Sequence, residues 1–393
     1  MPDPLQAWDA KPEFSFYEFF AGGGMARAGL GASWKCLFAN DFDPKKGETY
    51  CKNWGRQELL VGDVRKLEPS RLPGSPDLIW GSFPCQDLSL AGNGAGLSGA
   101  RSGTFWPFFK HVQQLRTEHR GPSLLVLENV FGTLRSHGGK DFQAIADALA
   151  SEGFRFGAMI VDASLFLPQS RPRLFIVAVD ERISIPDELL DIGALDPWHP
   201  KALRESWTEL SSQAKRNWLW WNLPSPPSRS NVFADLIEES PVDTRWHSPG
   251  ETEKLLKMMT PLHQQKVKSA KASGKRCVGT IYKRTRVDAD GNRAQRAEVR
   301  FDDIAGCLRT PAGGSSRQII MVVDGKSVRS RLVSARETAR LMGLPDSYIL
   351  PENYNEAYHL TGDGVAVPVV RHLSRFLLEP ILLRNRNRRT KAA

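Results

Sequence analysis

The feature that most constrains the fold is a regular alternation of short apolar runs and helical stretches between residue 14 and about residue 180. The apolar runs predict strands at 15–19, 34–40, 59–61, 78–81, 124–127, 154–161 and 173–179. Helical patterns lie between them, for example at 105–116 and 141–151. Such alternation is typical of βαβ units, in which helices cover both faces of a sheet. We therefore predict an α/β fold with a Rossmann-like, doubly wound and mostly parallel sheet.

The chain of 393 residues is long enough for more than one domain. We predict three parts: a domain at 12–185, a smaller domain at 186–345, and a segment at 346–393 that returns to the first domain. A Pro-rich stretch at 224–228 has the composition of a linker. A helix is expected at 334–344, because Ser334 and Glu337 form a capping box, and another at 367–383. The basic tail at 384–391 is expected to fray.

The positive charge is concentrated in one window. The chain has 53 Lys and Arg against 44 Asp and Glu, a net charge of +9. Residues 261–300 alone hold eleven Lys and Arg against three Asp and Glu. A local excess of this kind favours a nucleic-acid partner, although a solvated surface or a disordered arm would have the same composition.

Cysteine usage and hydropathy indicate the setting. The five cysteines are odd in number and include no Cys-x-x-Cys pair. A disulfide framework or a metal site is therefore not expected, and a reducing cytoplasm is the simpler environment. The chain has no apolar signal core near its start and no run of 18 apolar residues, so we expect no membrane association.

Three predicted strand ends carry groups suited to binding a nucleotide-like cofactor. The first strand leads into Phe20-Ala21-Gly22-Gly23-Gly24, a turn that lets backbone approach a ligand closely. Asp41 and Phe42 follow the second strand, where an acid can bind ribose hydroxyls and a ring can stack on adenine. Asp63 follows the third and could bind an adenine amino group. A turn of this type occurs in NAD, FAD and S-adenosylmethionine sites, and also as a purely structural turn.

The next strand ends carry a thiol and an acid. Cys85 lies in the loop Phe83-Pro84-Cys85-Gln86, where polar surroundings favour a reactive thiol over a small buried hydrophobe. Glu128 ends an apolar strand. An acid at such a position is either part of a functional site or a structural hydrogen-bonding group. Arg171 and Arg173 are candidates for the positive charge that a thiolate needs. Together these residue types suit covalent catalysis.

In this order, the motifs resemble those of the cytosine-C5 DNA methyltransferase family, of bacterial or phage type, from Phe14 to about Leu378. The motifs that carry the resemblance are Phe20-Ala21-Gly22-Gly23-Gly24, Pro84-Cys85-Gln86, Glu128-Asn129-Val130, Gln169-Ser170-Arg171-Pro172-Arg173, the stretch 331–345 with Arg336-Glu337 and Leu341-Met342-Gly343, and Gly362-Asp363-Gly364-Val365. Two positions depart from the family pattern. Glu18 stands where Asp is usual, and Asp363 stands where Asn is usual.

The resemblance implies a mechanism. The Cys85 thiolate would add to carbon 6 of a cytosine flipped out of the duplex, and carbon 5 would then accept a methyl group from S-adenosylmethionine. Glu128 would bind N3 and the exocyclic amine, and Arg173, with Arg171, would bind the O2 side of the base. The cofactor site would be lined by Phe20, Gly22, Gly24, Asp41, Phe42, Asp63, Pro84, Thr104 and Asp363. By the same resemblance, residues 12–185 would be the catalytic domain and 186–345 the target-recognition domain.

Residues 303–318 are the predicted reader of the target sequence. Arg309, Arg317 and Gln318 can form bidentate contacts with guanine and adenine edges, Arg284 and Arg286 suit phosphates, and Gln86 is expected to contact DNA. Ordinary loop residues would be the alternative. The expected partner is double-stranded DNA, bound by a monomer in the cytoplasm near the nucleoid, with a cognate restriction endonuclease as a possible functional partner. Three other functions stay open: the same chemistry on RNA, a non-catalytic DNA-binding relative, and a nicotinamide-dependent oxidoreductase.

Overall fold

The computed structural model describes residues 12–84, 102–287, 291, 293–309 and 317–392, which form two compact units. The first unit comprises the described residues of 1–162, 172–227 and 365–393. The second comprises 163–171 and 228–364. The chain therefore leaves the first unit twice and returns to it twice.

A seven-stranded sheet forms the centre of the first unit. Its strands are β1 (Phe14–Phe19), β2 (Trp34–Asp41), β3 (Leu59–Val61), β4 (Leu78–Gly81), β5 (Leu124–Val130), β6 (Phe154–Asp162) and β7 (Pro172–Asp180). The spatial order is β3-β2-β1-β4-β5-β7-β6, and β7 runs antiparallel to both of its neighbours. The winding reverses between β1 and β4, so the carboxyl ends of these two strands flank the point where open α/β sheets bind ligands.

Helices cover the sheet because their apolar residues recur at helical spacing. In α4 (Lys140–Ser151), Phe142, Ile145, Ala146 and Leu149 are buried on one face. The other helices of this unit are α1 (Met25–Leu30), α2 (Pro44–Trp54), α3 (Phe105–Thr117), α5 (Lys201–Thr208), α6 (Ser212–Arg216), α11 (Val367–Leu373) and α12 (Glu379–Ala392), with a π-helical turn at Ser374–Leu378 between the last two. A two-stranded ribbon joins β8 (Leu190–Asp191) and β9 (Trp220–Trp221).

The second unit is built on an antiparallel sheet with the order β11-β10-β12-β13. Its strands are β10 (Cys277–Val287), β11 (Arg293–Arg300), β12 (Ile319–Asp324) and β13 (Ser327–Leu332). One face of the sheet packs on α7 (Pro249–Lys257) and α8 (Pro261–Ala272) around a core that includes Met259, Ile281 and Met321. The unit also contains α9 (Ala335–Leu341) and α10 (Tyr354–Asp363).

The predicted doubly wound, mostly parallel sheet is confirmed, and each predicted strand is present to within a few residues. The capping box is also present, since Ser334 and Glu337 each accept from the other's backbone N–H. The tail at 384–391, expected to fray, instead continues α12 to Ala392. Among the described residues, no helix is both long and apolar enough to span a membrane.

The structural units do not divide where the sequence placed its domain boundaries. The sequence placed them at 185/186 and 345/346, whereas the compact units divide at 227/228 and 364/365. Residues 186–227 belong to the first unit because Leu203, Leu210, Ala214 and Trp218 are buried in its core. The Pro-rich stretch at 224–228 coincides with the break between the units.

Candidate functional site

The glycine turn after β1 has a backbone that a β-carbon would hinder. Phe20, Gly22 and Gly24 all have positive φ angles, of 60°, 55° and 78°. A Cβ added at Gly24 would lie 2.3 Å from Trp54 Nε1, and the Trp54 indole donates a hydrogen bond of 2.9 Å to Gly23 O. A non-glycine residue with positive φ, such as Phe20, is strained, and such residues cluster at ligand sites. In front of Gly22 the space is open, since an added Cβ would meet no atom within 4 Å.

Asp41 anchors this turn from the end of β2. Its Oδ2 accepts from the Gly22 backbone N–H at 2.7 Å, and its Oδ1 accepts from the Asp43 N–H at 2.8 Å. Burial raises the pKa of Asp41. The neighbouring Phe42 is 72% exposed, so a large aromatic face lies open beside the turn. An exposed ring next to a glycine turn and a carboxylate suits an adenosine-like ligand.

Asp63 follows β3, as the sequence predicted. Its carboxylate accepts from the backbone N–H of Arg65 at 2.9 Å and pairs with the Arg65 guanidinium at 2.6 Å. These hydrogen bonds lower the pKa of Asp63. The acid is therefore ionised and oriented, and it shares its oxygens with Arg65.

Glu18 lies in β1 beneath the turn and is buried. Burial raises its pKa to about 8, against the opposing effects of the Arg27 charge and of backbone hydrogen bonds from Arg27 and Ala26. Glu18 is therefore a protonated carboxyl group near neutral pH, held at the start of α1.

The thiol predicted as nucleophile, Cys85, and the neighbouring Gln86 lie outside the described residues. The segment that leads to them is described up to Pro84, which is partly buried and follows the central strand β4. Asn129 in β5 donates from Nδ2 to Phe83 O at 3.3 Å. The approach to Cys85 is thus attached to the strand that carries Glu128.

The buried Glu128 pairs with the partly buried Arg173 at the carboxyl end of β5. The carboxylate is in the interior of the first unit, and Arg173 Nε lies 3.4 Å from its Oε1. The antiparallel register between β5 and β7 places Arg173 opposite Val130 and therefore beside Glu128. A carboxyl group oriented by a guanidinium can accept from an amine and share a proton with the ring nitrogen beside that amine.

Arg171 has a different environment from the one expected for a group that contacts a base. It is buried in the second unit and donates to the carbonyls of Leu308, Gly362 and Gly364 at 3.0, 2.8 and 2.6 Å. Gln169 lies in the same segment and binds both Leu308 N–H, at 3.1 Å, and Leu341 O, at 2.6 Å. The guanidinium of Arg171 is committed to backbone carbonyls, so its arrangement is that of a structural clamp and not of a catalytic group.

The remaining two predicted cofactor residues are placed as follows. Thr104 is partly buried and stands at the amino end of α3 in the first unit. Asp363 is exposed and is the last residue of α10 in the second unit.

The residues predicted to contact DNA differ in exposure. Arg284 and Arg286 lie on one face of the β10–β11 hairpin, where both pair with Glu298, at 3.5 and 2.6 Å. Arg309 is exposed. Arg317 donates to Asn355 Oδ1 and lies over the Tyr354 ring. Gln318 has no exposed surface, and its Oε1 accepts from the Tyr282 hydroxyl at 2.6 Å. The burial of Gln318 does not suit the base contact expected from its sequence.

Two side chains that shape these sites were missed by the sequence reasoning. Trp54 holds the glycine turn, and Tyr282 contacts the segment that contains the predicted readers. Their only signal in the sequence was a large aromatic residue next to basic or polar ones. Since their partners are 31 and 25 residues away, no local pattern could identify them.

Comparison with known proteins gives concordant matches. A family model described as C-5 cytosine-specific DNA methylase matches residues 14–379. The type II methyltransferase M.HpaII of Haemophilus parainfluenzae is 25% identical over 399 residues, covering 96% of this chain and 93% of the relative. M.DsaV of Dactylococcopsis salina is 27% identical over 384 residues, covering 97% and 90%.

Solved structures resemble the fold as a whole. The methyltransferase EhMeth of Entamoeba histolytica superposes with a TM-score of 0.60 at 14% identity, and covers 94% of this chain and 99% of its own. The S. pombe Dnmt2 methyltransferase gives a TM-score of 0.56 at 17% identity, with the same coverage. At this identity the likeness shows a shared fold, that of class I methyltransferases.

Proposed function

Because this chain belongs to the C-5 cytosine-specific DNA methylases, we propose that it methylates carbon 5 of one flipped cytosine within a specific double-stranded DNA sequence, with S-adenosylmethionine as methyl donor and Cys85 as covalent nucleophile. The observation that carries the proposal is the pair of the buried Glu128 with Arg173, which lies beside the strand end leading to Cys85. Related type II enzymes of bacteria support the restriction-modification setting.

The three side chains have distinct roles in this proposal. The Cys85 thiolate adds to carbon 6 of the cytosine, which makes carbon 5 nucleophilic. Glu128 accepts a hydrogen bond from the exocyclic amine and shares a proton with N3, which stabilises the ring as electron density moves toward N3. Arg173 holds the Glu128 carboxylate in place and binds O2 of the base. Transfer of the C5 proton to a general base then lets the thiolate leave carbon 6. A cytosine inside the duplex cannot reach the buried Glu128, so flipping is required.

The first unit has the groups that S-adenosylmethionine needs. The open space before Gly22, the Asp41 carboxylate and the exposed Phe42 ring would hold its adenosine part. The other proposed contacts are Phe20, Gly24, Asp63, Pro84 and Thr104. Asp363 stays a proposed contact. When bound, this cofactor supplies an electrophilic methyl group. Asp41 would fix the glycine turn and present its remaining lone pairs to ribose hydroxyls.

The second unit would read the DNA. Arg284 and Arg286 would contact phosphates, and Arg309 and Arg317 would contact base edges. One catalytic centre and one recognition unit suffice for a monomer acting in the cytoplasm on nucleoid DNA, and a cognate restriction endonuclease would be its functional partner.

The proposal is tested by mapping 5-methylcytosine at single-base resolution on mixed-sequence duplex DNA incubated with the protein and S-adenosylmethionine. Methylation confined to one short sequence, and abolished in Cys85→Ser, is the expected result. Matched RNA carrying the same sequences is assayed in parallel. Methylation of RNA and not of DNA would show that the substrate is RNA. DNA binding without methylation would show that the protein is a non-catalytic DNA-binding relative.

Phe42→Ala tests the cofactor site separately. Because the ring is 72% exposed, its loss should leave the free energy of unfolding within about 0.5 kcal/mol of the wild type. The loss of stacking should weaken S-adenosylmethionine binding about tenfold, measured by isothermal titration calorimetry. Val242→Ala is the control, because Val242 is also an exposed apolar residue and lies in the second unit. Unchanged affinity in Phe42→Ala would remove the ring from the site.

A further inference from the structure

The Tyr282 hydroxyl contacts two chain segments that are distant in sequence. It donates to Cys307 O at 2.9 Å and to Gln318 Oε1 at 2.6 Å. A phenol has a single proton, so these two acceptors share it. Burial raises the pKa of Tyr282 well above its usual value, so the hydroxyl is a donor throughout the physiological range.

Those two segments carry the arginines proposed to contact base edges. Cys307 stands two residues before Arg309, and Gln318 directly follows Arg317. Each segment is also held independently. Leu308 is bound by Gln169 at its N–H and by Arg171 at its carbonyl. Gln318 donates from its N–H to Tyr358 Oη at 3.1 Å and accepts at its carbonyl from Val333 N–H, also at 3.1 Å.

Tyr282 fits this position closely. A Cβ added at Gly306 would lie 2.1 Å from the Tyr282 hydroxyl oxygen, so the ring lies directly against the backbone of the residue before Cys307. On the other side, the Arg284 guanidinium lies 5.6 Å from the ring centroid. Tyr282 therefore contacts the Cys307 segment through its ring and hydroxyl, and the Gln318 segment through its hydroxyl. Its π face contacts Arg284, the proposed phosphate-binding residue.

We propose that Tyr282 is a specificity-determining positioning residue, whose hydroxyl fixes the Cys307 and Gln318 segments and hence the distance between Arg309 and Arg317. The inference rests on the proposed function, because it concerns how accurately the second unit reads DNA. Tyr282 itself need not contact a base. Bidentate arginine contacts discriminate between bases through their geometry, so a looser spacing weakens contacts at the correct sequence more than at incorrect ones.

The test is Tyr282→Phe, which keeps the ring against Gly306 and removes only the hydroxyl. The methylation rate is measured on the cognate duplex and on duplexes with one base pair of the target changed. The ratio of the methylation rate on the cognate duplex to that on an altered duplex should fall about tenfold. A change of this size corresponds to the free energy of one hydrogen bond. Methylation at saturating cognate DNA should be retained, since the residues around Cys85 are untouched.

Tyr17→Phe is the matched control. Its hydroxyl also donates to two acceptors, Pro73 O at 2.6 Å and Gly74 O at 3.4 Å, and it lies in the first unit. Both variants should lose similar thermal stability, but only Tyr282→Phe should lose discrimination. If the ratio of rates is unchanged in Tyr282→Phe, or falls equally in Tyr17→Phe, the inference is wrong.

A second variant covers the possibility that Tyr282→Phe does not fold. Gln318→Met has a similar length, suits the fully buried position, and removes the Gln318 acceptor of the Tyr282 hydroxyl while leaving Cys307 O in place. It should lose discrimination in the same way, and full discrimination in Gln318→Met would overturn the inference. Failure of the proposed function is distinguishable, because the wild type itself would then methylate no cytosine.

Discussion

At the scale of single residues, Glu18 shows how burial changes the chemistry of a side chain. It stands where an Asp was expected by resemblance, and among the described residues its Oε2 has no hydrogen-bond partner. Burial raises its pKa from the usual 4.5 to about 8. The folded state therefore retains a proton over a pH range in which the unfolded chain has released it.

This difference predicts a pH-dependent stability. Between pH 4.5 and about 8 the unfolded state binds fewer protons than the folded state, so the free energy of unfolding should fall as pH rises, by about 1 kcal/mol per pH unit at most. Glu18→Gln has no proton to lose and should remove this slope. The measurement is urea denaturation at several pH values for both proteins. Parallel pH profiles for the two proteins would contradict the raised pKa of Glu18.

At the scale of elements, the glycine turn is determined by backbone conformation and by a neighbouring side chain. Gly24 and Gly138 are both in the left-handed conformation, with φ and ψ of 78° and 37° and of 67° and 30°. The space around the two glycines differs. A Cβ at Gly24 would collide with Trp54, whereas one at Gly138 would meet nothing within 4 Å.

The pair Gly24→Ala and Gly138→Ala separates backbone strain from the Trp54 contact. Gly138→Ala should cost only the strain of a left-handed alanine, about 1–2 kcal/mol. Gly24→Ala should cost more, because Trp54 must also move, and it should weaken S-adenosylmethionine binding. Guanidinium denaturation and calorimetric titration of both variants provide the comparison. Equal stability losses and equal affinities would show that the Trp54 contact does not matter.

The elements also show which parts of the fold were predictable. The strands of the first unit were predicted because central parallel strands bury both faces and read as continuous apolar runs. The sheet of the second unit was not predicted, because the end of β10, Lys283-Arg284-Thr285-Arg286, is polar on both faces and hides its strand pattern. Residues 186–227 were predicted to belong to the second domain because the contacts that hold them in the first unit join distant parts of the chain. Trp218, for example, packs on Phe142 and Phe156.

The site residues also divide into those that local pattern could predict and those that it could not. Asp41, Glu128 and the glycine turn follow strand ends, and strand ends can be predicted from local pattern. The burial of Gln318 and the clamp made by Arg171 depend on partners more than 35 residues away, Tyr282 and Gly362 among them. Their sequence neighbourhoods resemble those of exposed, basic loop residues, so local pattern suggested contact with DNA or substrate.

At the scale of the whole molecule, most of the excess positive charge is located in the second unit. The window 261–300 contains α8, β10 and β11. On the hairpin, Arg284 and Arg286 face Glu298, which holds both guanidinium groups on one face. Such an arrangement presents fixed positive charge to a polyanion and predicts binding that weakens steeply with salt.

Removing these charges should change the salt dependence of DNA affinity. Arg284→Ala with Arg286→Ala should reduce the slope of log K against log salt concentration by about 2, one for each phosphate that the variant no longer neutralises. Arg182→Ala is the control, because Arg182 is an exposed arginine of the first unit paired with Asp180 at 2.8 Å. Fluorescence anisotropy between 50 and 300 mM salt, about the useful range, measures the slopes. An unchanged slope in the double variant would exclude the hairpin from phosphate binding.

The division of the chain into units has a consequence for how target preference can be inherited. The second unit is assembled from two separate stretches, 163–171 and 228–364. The shorter stretch supplies Gln169 and Arg171, which bind Leu308, Gly362 and Gly364 in the longer one. Recombination, or construction of a chimaera, could exchange only the longer stretch. The incoming stretch would then have to form the same hydrogen bonds with the nine residues 163–171 of the recipient. Because the second unit is the proposed reader of DNA, we expect new target sequences to be acquired most readily from donors whose short stretch already carries the same glutamine and arginine.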